Sequence, residues 1–309
     1  MKLETEQRVK EVIEKFDYQP NLLAKSFARK TSYHIGVTVP AGPLTPVEQF
    51  FLIFLQGVME VATANAYSVS VIPALGSAQE EKLLKDMFLR NMIDGYILTN
   101  PHYSPRTFLE FLKLDLPLVV TGRVQDSIPI STVDANGSEG IYLTTSHLIE
   151  LGHERILFLN GAKQYFMCED RLNGYLAAFR DHRIEPDGSL IREAEFTFEG
   201  GYKAAAEAID ALQFTAICAG NDAMATGALK ALQEKGLKVP RQISLAGYDD
   251  LPLSTMLKPT LTTVQAPIYQ LGREAAKMLF AVLKDRSHIG KLVLPVKLVV
   301  RESCAKTPA

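Results

Sequence analysis

The stretch from Ala216 to Asp250 most constrains how this chain can fold. Thr215 to Cys218 is a short apolar run that stops at Gly220, Asn221 and Asp222. Ala225, Leu229 and Leu232 then recur at helical spacing. Gly236 closes that helix, Pro240 blocks its continuation, and Ile243 to Ala246 form a second apolar run ending in Gly247, Tyr248, Asp249 and Asp250. Strand, helix and strand in that order form a βαβ unit, whose two buried parallel strands end in polar tips.

The same alternation extends over most of the chain. Strands are expected at His34 to Pro40, Tyr67 to Pro73, Asp94 to Thr99, Leu116 to Thr121, Ile156 to Asn160, Glu193 to Phe198 and Leu261 to Val264. Helical spacing falls between them, at 47–65, 80–90, 104–113, 138–151, 171–182 and 202–212. After Leu261 to Val264 comes a helix marked by Ile268, Leu271, Ala275, Met278, Leu279 and Val282, then a final strand, Lys291 to Val300, interrupted at Pro295. The economical architecture is α/β, with two doubly wound parallel-sheet lobes. If the chain crosses between them near 135, near Gln265 and near Pro295, three strands form a hinge that permits closure around a ligand. The corresponding domains are 33–135 with 265–294, and 136–264 with 295–309.

In an open parallel sheet, ligands bind beyond the carboxyl ends of the strands, which is where Asn221, Asp222, Asp249 and Asp250 fall. Asp222 also reads as a helix cap and turn residue. Asp249 and Asn221 are the stronger candidates, because a carboxylate beside a carboxamide suits the paired hydroxyls of a sugar or ribose. Arg171 is expected at the start of a helix on the same side, where the helix dipole disfavours a cation. Either a bidentate bond to ligand oxygens or an ion pair with Asp249 would compensate it. Phe196 and Phe198 end another expected strand, and each is either a core aromatic or a ring that stacks on a sugar or base. Phe50, Phe51 and Phe54 read as core or interface residues, with Phe50 placed to line the cleft. His153 reads as a helix C-terminal cap or packing residue.

No P-loop, GxGxxG, GxSxG or HExxH is present, and the six histidines are scattered. Neither catalysis nor a cofactor is expected. The three cysteines, Cys168, Cys218 and Cys304, form no CxxC pair or Cys/His cluster, so no metal is expected and a reducing cytoplasm fits. Neither a signal peptide nor a membrane span is legible. The formal net charge of -2 gives no whole-chain nucleic-acid signature, but between Tyr18 and Lys30 there are Lys25, Arg29 and Lys30 and no acid. Thr5 to Phe16 is expected to form a short amphipathic helix, and Asn21 to cap a second one, Leu22 to Arg29, too short to be stable alone in water.

Together these stretches resemble the LacI/GalR family of bacterial transcriptional regulators, from Thr5 onward. The resemblance rests on YQPNLLAKSFARK (18–30), IGVTVP (35–40), VDANGSEGIYLTTSHLIELGHERILFLNG (133–161), RLNGYLAAF (171–179), the central stretch, and P-x-LTTV (259–264). It implies a periplasmic-binding-protein-like sensor core, a homodimer, a sugar or related effector in the interlobe cleft, and operator DNA as partner. By that resemblance Arg171, Asn221 and Asp249 are effector contacts and Phe196 the stacking aromatic. Gln265 and Ala266 depart from the family pattern, in which Gln follows LTTV-x. Residues 1–32 resemble the third helix of a helix-turn-helix followed by the hinge helix, so the base-reading helix has no counterpart in this sequence. Asn21, Ala24, Lys25, Phe27 and Arg29 are the implied DNA contacts, with Phe27 at the position that inserts into the minor groove. The rival reading is a sugar-binding receptor with the same core and no DNA role.

Overall fold

The computed structural model describes residues 31–40, 49–74, 78–99, 104–161 and 165–307, together with Gln7 and Val12, which are both helical and exposed. The rest of the expected N-terminal helices, including Asn21, Ala24, Lys25, Phe27 and Arg29, lies outside the described residues.

From His34 onward, twelve strands and eight α-helices are present among the described residues. The first half runs β1 (His34–Pro40), α1 (Phe50–Ala64), β2 (Ser68–Ala74), α2 (Ala78–Leu89), β3 (Gly95–Thr99), α3 (Pro105–Lys113), β4 (Leu118–Thr121) and β5 (Ser131–Ala135). It continues α4 (Gly137–Glu150), β6 (Ile156–Asn160), α5 (Phe166–Asp181), β7 (Ile191–Glu193), α6 (Phe198–Ala211), β8 (Ala216–Ala219), α7 (Asp222–Glu234), β9 (Ser244–Asp249) and β10 (Thr262–Gln265). Helix α8 (Ile268–Lys284), β11 (Lys291–Leu294) and β12 (Lys297–Val299) close the chain.

The strands form two six-stranded sheets, ordered β11-β5-β4-β3-β1-β2 and β12-β10-β9-β8-β6-β7. Within each sheet the five sequential strands are arranged 2-1-3-4-5, a doubly wound order whose direction of winding reverses between the first and third strands. All pairings are parallel except that of β10 with β12.

Side chains of each central strand alternate between two helical layers, as the two-residue strand period requires. In the first sheet Ile35, Val37, Ile97 and Val119 pack with Phe54 and Val58 of α1 and Leu279 of α8. Tyr96, Leu98, Leu118 and Val120 point the other way, onto Leu84, Phe108 and Phe111 of α2 and α3. In the second sheet Ile156, Phe158 and Cys218 face Tyr175 and Phe179 of α5, while Leu157, Leu159 and Ile217 face α6 and α7. Helices α1 and α8 lie so close that a methyl at Gly272 would stand 2.1 Å from the Phe54 carbonyl, and one at Gly57 2.1 Å from that of Tyr269.

The chain passes between the sheets three times, between β5 and α4, between β10 and α8, and between β11 and β12. These passages are bonded side by side: Ala135 pairs with Leu294, Asn136 N donates to Leu294 O at 3.1 Å, and Gln265 pairs with Lys297. The interruption expected at Pro295 is thus the third passage.

Two expectations are corrected. The strand expected at Glu193 to Phe198 is β7, Ile191–Glu193, in register with Phe158 to Asn160 of β6. Phe198 is instead the first residue of α6, because the Thr197 hydroxyl accepts the Gly200 N–H at 3.0 Å and caps a helix there. Helix α5 begins at Phe166, so Arg171 stands in its second turn and not at its start.

Candidate functional site

Strands β6, β8 and β9 end side by side at the point where the second sheet changes winding direction. Asn160, the last residue of β6, is buried and fixes the turn that follows: its carboxamide donates to Cys168 O at 2.8 Å and accepts the Gly161 N–H at 2.9 Å. This clamp sets the first turn of α5, and so the position of Arg171.

Arg171 is 6% exposed, and its guanidinium lies between two rings, its central carbon 4.9 Å from the Phe196 centroid and 4.7 Å from that of Tyr248. Its Nε and Nη1 are buried and have no hydrogen-bond partner. Buried charged donors left unpaired are costly, by about 1–3 kcal/mol or more each. No ion pair joins Arg171 to Asp249 among the described residues; the two rings are the contacts its charge has there.

Asp249 ends β9 at 5% exposure with φ of 121°, and Asp250 follows at φ 57°. Left-handed conformations at non-glycine residues cost on the order of 1–3 kcal/mol each and are held only where the surroundings dictate them. Burial holds the Asp249 carboxyl well above the usual carboxylate range; nearby Asp222 adds to the effect and Arg171 opposes it. Asp250 is committed elsewhere, to Arg301 at 2.5 Å and Gln265 at 2.9 Å.

Asp222 is neither a surface cap nor a cleft residue. It is fully buried and accepts hydrogen bonds from Ser254 Oγ at 2.6 Å, Thr263 Oγ1 at 2.6 Å and Leu251 N at 2.9 Å, tying the start of α7 to β10 and the segment after β9. Burial raises its carboxyl to about 6. Asn221 caps α7, accepting the Met224 N–H at 2.9 Å, and donates to the Phe196 carbonyl at 3.2 Å. It therefore fixes the backbone beneath the Phe196 ring and keeps one amide N–H uncommitted among the described residues.

Two residues at the site carry no signal in the periodicity. Tyr248 supplies the second ring over Arg171, and burial raises its hydroxyl above the ordinary range. Asp134, in β5 of the first sheet, is pushed up to about 6 by burial, with its own chain's Ala135 N–H and Arg171 opposing. The signal that could mark both is position, since each stands at or next to the end of a buried strand.

Phe50 opens α1 in the first lobe, stacked on Phe54 at 6.3 Å and edge-on to Phe51 at 5.3 Å. Its aromatic pairs are with its own helix, and among the described residues none joins it to the Arg171 cluster. His153 is a packing residue: it is buried, its Nδ1 lies 2.9 Å from the Thr215 hydroxyl and 2.7 Å from that of Thr307, and its Nε2 2.9 Å from the Ala305 carbonyl. It pins the C-terminal segment to the end of α4. The described residues contain no group of His, Cys, Asp and Glu that could hold a metal ion, and no helix among them is long and apolar enough to cross a membrane.

Residues 145–304 match the periplasmic binding protein-like domain family. The HTH-type transcriptional repressor CytR of Escherichia coli (strain K12) is 29% identical over 307 residues, covering 98% of this chain and 89% of the relative. Among solved structures, the complex of the transcriptional regulator CelR with cellobiose superposes with a TM-score of 0.82 at 27% identity, covering 98% of this chain and 91% of that one. The lac repressor dimer bound to operator and the anti-inducer ONPF superposes at 0.81 with 25% identity, covering 93% and 99%.

Proposed function

The chain belongs to the LacI family of periplasmic-binding-protein-like transcriptional regulators, and from that premise we propose that it is a repressor whose DNA binding is set by an uncharged, hydroxyl-rich effector, a sugar or a sugar-containing molecule, held between the lobes. The observation that carries this reading is Arg171: a guanidinium wedged between Phe196 and Tyr248, with two buried N–H donors unpaired, at the winding switch of a parallel sheet.

Hydroxyls on a sugar accept from Arg171 Nε and Nη1 and hydrogen-bond to the Asp249 carboxyl, so that one ligand satisfies both groups at once. Phe196 supplies the apolar wall, and Asn221 offers its remaining amide hydrogen. Asp134 supplies an acceptor from the opposite lobe. The complex of CelR with cellobiose supports a sugar as the ligand. A ligand that touches both lobes favours their closed arrangement, and rotation about the three adjacent passages changes the separation of segments attached to the first lobe. In a homodimer, as the lac repressor neighbour is, that change alters the spacing of the paired DNA-contacting segments. Asn21, Ala24, Lys25, Phe27 and Arg29 are proposed to make those contacts.

The test is a thermal-shift screen against hexoses, pentoses, disaccharides, nucleosides, sugar phosphates and sugar acids, because a ligand that binds only the folded chain raises its midpoint by mass action. A response to one neutral class, abolished by Arg171→Ala, is expected. Responses confined to phosphates or acids would overturn the proposed class.

A further inference from the structure

Arg123 lies just after β4, in the first lobe. Gly122, at φ 100°, turns the chain there and is held by its N–H to the Val133 carbonyl at 3.0 Å. The turn sends the Arg123 side chain across to the second lobe. Its Nη2 meets Glu169 Oε2 at 3.3 Å, its Nη1 meets Asp170 Oδ1 at 3.3 Å, and its guanidinium carbon lies 5.7 Å from the Phe166 centroid. All three partners are in the first two turns of α5, the helix that carries Arg171. Among the described residues, these are the ion pairs that join one lobe to the other; the remaining pairs stay within a lobe.

We propose that Arg123 is an interlobe latch, closed on Glu169, Asp170 and Phe166, that holds the two lobes together before any effector binds. A lone exposed pair would not suffice, since its contribution is small. Here one guanidinium serves two carboxylates and a ring, and Asp170 is only 20% exposed. The three passages leave the lobes free to rotate, so a modest bias is enough: a tenfold shift of the closed-to-open ratio corresponds to about 1.4 kcal/mol. The latch raises apparent effector affinity by increasing the share of chains already in the binding arrangement. Because α5 carries both Asp170 and Arg171, a ligand that draws Arg171 deeper into the cleft acts on the latch through one rigid element.

The test uses the full chain without effector, so its outcome does not depend on the sugar-sensor reading. Small-angle scattering at about 0.1 M and about 1 M NaCl compares the wild type, Arg123→Gln and Arg123→Lys; the Debye length falls from about 10 to about 3 Å between these conditions. The expected result is a compact wild type at low salt, a larger radius of gyration for Arg123→Gln at both salts, an intermediate value for Arg123→Lys at low salt, and expansion of the wild type toward Arg123→Gln at high salt. Equal radii for the wild type and Arg123→Gln at low salt, or a wild type unchanged by high salt, would overturn the latch.

Discussion

The carboxylate of Asp94 receives Ser32 twice on one oxygen, its backbone N–H at 2.7 Å and its hydroxyl at 2.8 Å, while the other oxygen accepts the Tyr33 N–H at 3.0 Å. The chain is thus clipped to the turn before β3 as it enters β1. Asp94→Ala should lower unfolding stability in urea by about 1–3 kcal/mol, the cost of losing hydrogen bonds to a charged group. In an operator-binding form it should also reduce the response of DNA affinity to effector. An unchanged urea midpoint would show that the clip contributes nothing.

Arg171 and Asp249 should act as a pair on the ligand identified by thermal shift. Isothermal titration of Arg171→Ala and Asp249→Asn is expected to show weakening of about 1–3 kcal/mol each, with a double variant that loses less than the sum, because the two groups hold one set of hydroxyls. Arg171→Lys should not restore binding, since a point-like ammonium cannot reproduce the donors of a planar guanidinium held between two rings. Full additivity in the cycle would place the two residues on separate ligands or separate sites.

Asp134 should give the stability curve a recognisable pH dependence. Its folded-state value near 6 lies above the ordinary 3.8, so the native chain holds this proton where the unfolded chain has released it. The favourable contribution is complete below about pH 4 and is lost as pH rises through about 6. Relative to wild type, Asp134→Asn should therefore gain about 2 kcal/mol between pH 4.5 and pH 7, read from urea titrations at both values. A constant difference would mean that the carboxyl titrates normally.

Gly272→Ala tests the closeness of α1 and α8. The added carbon would meet the Phe54 carbonyl at 2.1 Å, where ordinary contact begins at 3.4 Å, and backbone cannot swing aside as a side chain can. Overpacking of this kind costs about 1–3 kcal/mol or more, which outweighs the roughly 1 kcal/mol that alanine gains in a helix. Gly188→Ala, with open space around it, is the control. A lower thermal midpoint for Gly272→Ala alone is expected; equal midpoints would mean that the helices separate without cost.

The sequence announces the frame more clearly than the site. Strands such as His34–Pro40 and Ile156–Asn160 are readable because a strand buried on both faces must be almost wholly apolar, and Pro295 marks a break because it cannot continue a ladder. β5 is hidden: Ser131 and Thr132 are polar yet buried, and only the fold brings the strand between β4 and β11. The alternation Ala194, Phe196, Phe198 imitates a strand, and the Thr197 cap outweighs it. At the site, Arg171, Phe196, Asn221 and Asp249 are legible from the ends of strands and from the family resemblance. The sandwich of Arg171 by Tyr248 and its proximity to Asp134 are not, because they join segments far apart in sequence. Asp222 reads as a cap because Asp commonly is one; its burial depends on Ser254 and Thr263, which no local pattern connects to it.

The three passages between the sheets also dictate an order of completion during synthesis. The ribosome delivers β1 through β5 first, but α8, which covers β3, β4 and β5 and packs on α1, and β11, which pairs with β5, emerge only after nearly all of the second lobe. Phe54, Val58, Ile97, Val119 and Val133 therefore lack their α8 partners while residues 136–265 are made. The lobe that is begun first is finished almost last, and a nascent chain stalled before Ile268 carries an open apolar face for chaperones, or for another unfinished copy, to find.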